Sequence, residues 1–384
     1  MITVITFNPS IDRMYRVNNI NIGEVQRVVS KNATAGGKGL NVAKVCKILK
    51  ENPLAMGFLG GFNGEFIKNE LRKLDIQNKS TKIEQETRNC LTIIEDNKVS
   101  TEFLEKGPIV EKSDLERFEN DIEEVLKNTK ILVASGSYCE NMPIDYYEKI
   151  GNICRANNIK FILDTSGEAL KIALKSKPYL IKPNIDEIRH LLGMNIESRE
   201  EIILSGKKLI EMGAENVCIS LGKDGMVYLN EDNVYDVKVP AVKCINTVGS
   251  GDSTVAGFSV GILRGYKIEN LLKFANACGI SNALNMETGV VTKQKDKVKI
   301  KKPKNYKVIM HNDDYTTMEF VIKILVNIFN KSFIDAEKIM LDVHKKGRGV
   351  AGIYSYDIAI TKVATAMSMA KSEGFPFKLT TEEV

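Results

Sequence analysis

Asn246-Thr247-Val248-Gly249-Ser250-Gly251-Asp252-Ser253-Thr254 joins a glycine-rich turn to the apolar helical pattern that continues through Val255-Ala256-Gly257-Phe258. Glycines let successive backbone N–H groups face one point, and the following helix N-terminus adds positive potential. Such a turn can hold the negative charge of a phosphoryl group in transfer. Asp252, beside that charge, can accept the proton of an attacking hydroxyl, the task of a base in phosphoryl transfer. A second string, Ala35-Gly36-Gly37-Lys38-Gly39-Leu40-Asn41-Val42-Ala43, opens another helical pattern. Its glycines allow close backbone approach to a sugar, Lys38 supplies a point charge for a phosphate, and Asn41 offers a donor and an acceptor for hydroxyls. The GxxxxGK[ST] spacing of a P-loop is absent. Taken singly, the two strings also read as tight turns, with Asp252 as a helix cap and Lys38 as a solvated lysine.

These residues need a scaffold to bring them together. The runs ITVITF, LAMGFLG, KILVAS, IKFILD and YLIK are short, apolar and bounded by turns, and amphipathic segments separate several of them. That alternation predicts a largely parallel sheet covered by helices. Residues 12–30 and 86–104 instead alternate polar and β-branched side chains, as strands exposed on one side do, and are expected to form a small lid sheet. At 384 residues the chain exceeds what one core usually supports. The composition changes near residue 300, at KDKVKIKKPKNYK, before a new strand (YKVIMH) and two helical patterns. The expected organisation is a first domain over 1–292, a linker over 293–304 and a second domain over 305–384.

Charge and cysteines narrow the function classes. The net charge is +5, yet residues 293–307 alone hold eight lysines against Asp296, so the rest of the chain is slightly acidic. A basic face for nucleic acid or an anionic membrane is therefore not expected, and the run reads as a solvated connector. No apolar run approaches the roughly 20 residues that span a bilayer. The N-terminus reads as a buried strand rather than a signal peptide, which makes the cytoplasm the expected location. Seven cysteines without a CxxC pair read as reduced, mostly buried thiols.

The first 300 or so residues resemble the PfkB, or ribokinase-like, carbohydrate kinases, with the Asp252 string as second signature and the Gly37-Lys38 string as first. The resemblance implies a ribokinase-like three-layer αβα domain with a small β lid, using ATP and Mg2+. It implies Asp252 as catalytic base with Gly249, Ser250 and Gly251 around the transferred phosphoryl. Asp12, in Asn8-Pro9-Ser10-Ile11-Asp12, would hydrogen-bond substrate hydroxyls. Arg88, in Thr87-Arg88-Asn89-Cys90, would contact phosphate, with Arg27 beside it, since guanidinium pairs bidentately with phosphate. Gly37, Lys38, Asn41 and Ser137 complete the substrate set. Further landmarks follow in order: Ser135-Gly136-Ser137, Asp164, Lys182-Pro183-Asn184, Glu187, Ser220-Leu221-Gly222-Lys223-Asp224-Gly225, and Asn276 to Asn282. In the family Asn184 and Glu187 organise magnesium through water; Lys182, Ser220, Gly222, Gly225, Thr247 and Asn282 lie on the nucleotide side. NPSIDRMY, GEVQRV, AGGKGLNVAKV and TRNC are most similar to the 1-phosphofructokinase and tagatose-6-phosphate kinase subgroup. That implies a ketohexose phosphate as substrate, with fructose 1-phosphate favoured and tagatose 6-phosphate next, and a surface for a homodimer through the lid. Two departures stand out. Asn141 occupies a family glycine position, and the segment after Glu287-Thr288-Gly289 passes quickly into the lysine run, which predicts a kinase domain shortened at its C-terminal edge.

From about residue 305 the chain resembles ClpS, the Clp protease adaptor. The resemblance is carried by His311-Asn312-Asp313-Asp314-Tyr315-Thr316-Thr317-Met318-Glu319-Phe320, by Ala336 to His344, by Gly347 to Gly352 and by Asp357 to Val363. It implies a small α+β domain, N-degron peptides and a Clp ATPase as partners. Asn312, Asp313, Asp314 and His344 would accept from a free α-amino group. Met318, Met340 and Val343 would line a pocket for a bulky first residue. Without the resemblance, NDD reads as a helix-capping turn and the methionines as a core stripe. The alternative for the whole chain is a kinase domain inactivated by its short C-terminus and a protein that works only as a peptide-binding adaptor.

Overall fold

The computed structural model describes residues 1–97, 99–240, 244, 247–284, 299–301, 305–313 and 315–384. They form two compact units, Met1–Tyr228 with Val237–Ile300, and Leu229–Asp236 with Lys301–Val384. The inclusion of Leu229–Asp236 in the second unit is invisible in the composition shift near residue 300.

In the first unit β1 (Ile2–Thr6) leads into β2 (Ser10–Val17), β3 (Ser30–Gly36) and α1 (Lys38–Ile48). Then come β4 (Leu54–Gly60), α2 (Gly61–Lys73), β5 (Gln77–Asn78), β6 (Thr81–Ile83), β7 (Arg88–Glu95) and β8 (Ser100–Leu104). After α3 (Lys112–Leu126) the chain alternates: β9 (Ile131–Ser135), α4 (Tyr146–Ala156), β10 (Lys160–Asp164), α5 (Gly167–Ala173), β11 (Leu180–Ile181), α6 (Ile185–Leu192), α7 (Arg199–Glu211), β12 (Asn216–Ser220). The strands β13 (Met226–Asn230) and β14 (Val234–Lys238), which run partly into the second unit's Leu229–Asp236, the helices α8 (Ser250–Leu263) and α9 (Ile268–Ala283), and the short β15 (Lys299–Lys301) follow.

The main sheet runs β15-β14-β13-β12-β11-β10-β9-β1-β4-β5, with β6 also on β4. Pairings from β4 through β1, β9, β10 and β11 to β12 are parallel. Strands β1, β4 and β9 are buried along their whole length, which explains why they read as continuous apolar runs rather than alternating ones. Parallel pairing brings Thr6, Ser135, Asp164, Lys182 and Ser220 to or just beyond one carboxyl edge of the sheet. Chain order reverses between β1 and β9, and in open parallel sheets that switch is where ligands bind. Helices α8 and α9 pack on each other, and α8 packs on α1.

The lid is a separate sheet of order β3-β2-β7-β8, with β2 and β7 parallel and the outer pairs antiparallel. Its second strand differs from the expectation for 12–30: residues 18–29 form a connecting stretch, and β3 runs from Ser30 straight into the Gly36-Gly37 turn. Strand register, not composition, decides this, because Ser10 to Arg16 on β2 pair with Gly36 to Ser30 on β3. At the departure from the family pattern, Asn141 takes φ 63°, the left-handed conformation that Asn tolerates better than most side chains. Glu287 to Gly289 and most of the lysine run lie outside the described residues.

The second unit has β16 (Asn305–His311), α10 (Met318–Asn327), α11 (Phe333–Lys346), β17 (Arg348–Ser355), α12 (Tyr356–Ser372) and β18 (Lys378–Glu383). Its sheet is antiparallel, in the order β17-β16-β18. Three helices, not two, follow the first strand. Phe320, Ile324, Leu325, Phe329, Met340 and Val343 meet Val308, Met310 and Ala351 in one core.

Candidate functional site

Gly249 stands at φ 77° ahead of α8, a left-handed turn that glycine adopts without strain. Asp252 follows in the first helical turn and is 6% exposed. Its Oδ2 accepts a 2.9 Å hydrogen bond from Nδ2 of Asn41 on α1. Burial, then the negative charge of Asp164, pushes the carboxyl up to about 6; the Asn41 bond, Lys38 and Lys182 act the other way. A carboxylate that titrates near neutrality is suited to take a proton from a hydroxyl. Asn282 is fully buried and its amide donates to the Val248 carbonyl at 2.7 Å and to Ser250 Oγ at 3.2 Å, so it holds the turn that leads into Asp252. Ser250 N–H donates to the Thr247 carbonyl at 3.2 Å, closing the same turn.

Two ammonium groups stand nearby. Lys182 Nζ is 3.5 Å from Asp164 Oδ1, and Lys38 Nζ is 3.9 Å from both Asp164 Oδ2 and Glu187 Oε1. Burial disfavours the Asp164 charge, but Lys182, Lys38 and a 3.2 Å bond from Ser135 together hold its carboxyl below the usual range. Burial likewise opposes the Lys182 charge, and Asp164, Cys218, Asp252 and Glu187 together more than restore it. A side chain at Gly251 would meet Lys182 Nζ at 3.1 Å, so the bare glycine lets that ammonium lie against the turn. The result is two cations and a helix N-terminus around one point, a cradle for phosphoryl oxygens.

Asn184 and Glu187 form a capping box on α6: Asn184 Oδ1 accepts from Glu187 N–H at 2.8 Å, and Glu187 Oε2 accepts from Asn184 N–H at 3.0 Å. Among the described residues no group of three or more His, Cys, Asp or Glu is arranged to hold a metal. The carboxylates present, Asp164 and Glu187, each with Lys38 at 3.9 Å, are few, which fits a magnesium ion that arrives on ATP and keeps most of its waters. Ser220 N–H bonds the Pro183 carbonyl at 3.0 Å, and Leu221 N–H bonds the Gly225 carbonyl at 2.8 Å, fixing the Gly222 to Gly225 loop beside α6.

The lid side carries the other candidates. Asp12 on β2 accepts from Ser10 Oγ at 2.6 Å, and burial raises its carboxyl against the pull of Ser10, Lys44, Arg88 and the Gly37 N–H. A Cβ on Gly36 would fall 2.0 Å from the Asp12 carboxyl carbon, so only glycine leaves that carboxylate its place. Arg88 donates to the carbonyls of Asn8 and Glu105 at 3.1 Å each, while its Nε is buried without a hydrogen-bond partner among the described residues. Ser137 is exposed and receives a 3.3 Å bond from Asn8 Nδ2. Arg27 is exposed on the stretch between β2 and β3. Sequence reasoning passed over Lys44, whose ammonium donates to the Ala35 carbonyl and, at 3.4 Å, to Asn41 Oδ1. The available signal was a lysine inside the otherwise apolar NVAKVC stretch of α1.

In the second unit Asp313 caps the turn before α10. Its Oδ1 accepts from Thr316 N–H at 2.7 Å and Tyr315 N–H at 3.0 Å, and its Oδ2 from Thr316 Oγ1 at 2.8 Å. Asn312, Met318 and His344 are exposed, whereas Met340 and Val343 belong to the core. Asp314 lies outside the described residues.

Comparison with known proteins accounts for both units. A curated tagatose-6-phosphate kinase of Staphylococcus epidermidis is 39% identical over 298 residues, which cover 77% of this chain and 96% of that protein. Phosphofructokinase-2 from Escherichia coli, solved with potassium, superposes with a TM-score of 0.72 at 25% identity over 76% of this chain and 95% of its own. A ribokinase from Arabidopsis thaliana, solved with ribose and ATP, gives a TM-score of 0.63 at 20% identity, covers 75% of this chain and 94% of its own, and shares the fold. Residues 301–380 match the family of the ATP-dependent Clp protease adaptor protein ClpS. Residues 5–294 match the pfkB family carbohydrate kinases, so this chain belongs to the pfkB family and carries a ClpS-family domain behind its kinase.

Proposed function

We propose that the chain transfers the γ-phosphoryl group of ATP, with magnesium, to a free hydroxyl of a ketohexose phosphate and releases the 1,6-bisphosphate. The observation that carries this reading is the buried Asp252, held by Asn41 at the N-terminus of α8 and facing the Lys38 and Lys182 ammonium groups. Asp252 accepts the hydroxyl proton as the oxygen attacks the γ-phosphorus; the bond from that phosphorus to the β,γ-bridging oxygen breaks, and ADP leaves with its electron pair. Asp12 binds sugar hydroxyls, Arg88 with Arg27 faces the phosphate already on the sugar, and the Gly222 to Gly225 loop lies by the nucleotide. The motifs fit both kinases of the subgroup, fructose 1-phosphate is the favoured substrate of the sequence reading, and the name of the 39% identical relative brings tagatose 6-phosphate forward. Alignment over 96% of that relative argues against a kinase disabled by a short C-terminus. The apolar lid side chains Ile22, Val25, Phe103 and Leu104 are more than half exposed and suit a homodimer through the lid.

The C-terminal domain, over 305–384, is the second activity: binding of peptides with a bulky N-terminal residue for a Clp ATPase, with Asn312 and His344 at the exposed rim. The lysine-rich stretch 293–304 joins the two domains, with its Lys299–Lys301 paired as β15 on the main sheet.

The decisive experiment measures ADP release with ATP and magnesium on fructose 1-phosphate, tagatose 6-phosphate and fructose 6-phosphate. Turnover with a ketohexose phosphate that drops on the order of 10²- to 10⁴-fold in Asp252→Asn is the expected result. A folded protein inert on all three would overturn it.

A further inference from the structure

Lys44 sits one helical turn beyond Asn41 on α1, half-buried, in a helix whose neighbouring residues Asn41, Val42, Ala43, Val45 and Cys46 are all buried. An ammonium removed from water is costly unless it finds acceptors, and this one has two, on β3 and on its own helix. It donates to the Ala35 carbonyl at the end of β3, the strand by which the lid enters the Gly36-Gly37 turn. It also donates to Asn41 Oδ1 at 3.4 Å, while the other end of the same amide donates to Asp252 Oδ2 at 2.9 Å. The carboxylates facing it are Asp12 from β2, Asp252 from α8 and Glu70 from α2.

An asparagine amide can be turned over at little cost, exchanging its oxygen and nitrogen. Were Asn41 reversed, its carbonyl oxygen would face the Asp252 carboxylate and repel it. A cation on the oxygen side forbids that reversal. We infer that Lys44 is a positioning residue of the kinase: it fixes the Asn41 amide so that its N–H grips the base Asp252, and it ties the lid strand β3 and the sugar-binding Asp12 to the same point of α1. No contact with the nucleotide is involved. The lid's entry and the base thereby share one cation, so ordering of the substrate side is coupled to the orientation of the group that takes the proton. This inference rests on the phosphoryl-transfer reading, with Asp252 as base.

The test compares the full-length wild type with Lys44→Met, Lys44→Gln and Lys44→Arg, using whichever ketohexose phosphate the wild type turns over fastest. In Lys44→Met, kcat is expected to fall on the order of ten- to a hundredfold, the scale of a misplaced catalytic group, with KM for ATP changed less than about twofold. Loss of the positive charge disfavours ionised Asp252, so the acid limb of kcat moves to higher pH. The groups facing Asp252 that stay in place are Asp164 on β10, Lys38 on α1 and Lys182 after β11. Lys44→Arg, which keeps the charge and the donors, restores the wild-type acid limb. Lys44→Gln keeps a donor for Ala35 without the charge, and it carries the test if Lys44→Met does not fold; it is expected to show the same shifted limb. An unchanged pH profile and kcat in folded Lys44→Met or Lys44→Gln overturns the inference while leaving the kinase reading intact. A wild type inert on every ketohexose phosphate defeats the kinase reading itself.

Discussion

Asp252 does its work at a cost in stability. Its carboxyl titrates at about 6 in the folded chain against 3.8 for an unperturbed aspartate. Between those values the folded state holds a proton that the unfolded state has released, so stability falls as pH rises through the window and stays lower above it. The gap amounts to at most ~3 kcal/mol. Asp252→Asn, which has no proton to lose, should therefore raise the unfolding temperature at pH 7.5 and lose that advantage below about pH 4, while cutting turnover on the order of 10²- to 10⁴-fold. Denaturation followed at both pH values tests this; equal stability of the two proteins at pH 7.5 would show that the carboxyl is not strained. For the same reason kcat should climb through an acid limb near pH 6 in the wild type.

At the scale of elements, the turn from β3 into α1 brings the lid and the main sheet to the substrate at one point. Gly36 makes that junction possible, because a methyl group there would occupy the space of the Asp12 carboxylate. Gly36→Ala is predicted to raise KM for the sugar phosphate by about tenfold or more and to leave KM for ATP nearly unchanged, since Asp12 has no part in holding the nucleotide. Steady-state kinetics with each substrate varied in turn measures the split; equal effects on both would mean that the turn as a whole had collapsed. The elements themselves were largely legible. Fully buried parallel strands leave apolar runs such as LAMGFLG, and a helix after a glycine turn leaves AGGKGLNVA. The path of residues 18–29 was not legible, because Ile22, Val25 and Val29 are β-branched yet exposed outside any strand. Pairing with a neighbour, not propensity, makes a strand.

At the scale of the whole molecule, two family domains lie in one chain with separate cores. Their sites draw on different residues, so each should be removable without loss of the other. Asn312→Ala is predicted to weaken binding of a peptide with N-terminal Phe by about tenfold, on the order of one charge-assisted hydrogen bond, with kinase kcat unchanged. Fluorescence anisotropy against the same peptide acetylated at its N-terminus checks the first part, and ADP release the second; equal affinity for both peptides would remove the N-degron reading. Asp313 shows why sequence alone divided poorly between roles here: the same carboxylate that resembles a ligand for an α-amino group is bonded to Tyr315 and Thr316. Met340 and Val343, named for a pocket, pack in the core. The sequence by itself determined the two domain families and the αβα class, since these are written in glycine spacing, apolar runs and motif order along the chain. Only the tertiary structure decided which charges share a site. The Asn41 grip on Asp252 and the Lys182 pairing with Asp164 join residues far apart in sequence, and Lys44 comes to face Asp12 across the lid junction. Parallel strands with helical crossovers bring those residues to one edge of the sheet, and burial there sets how each one ionises.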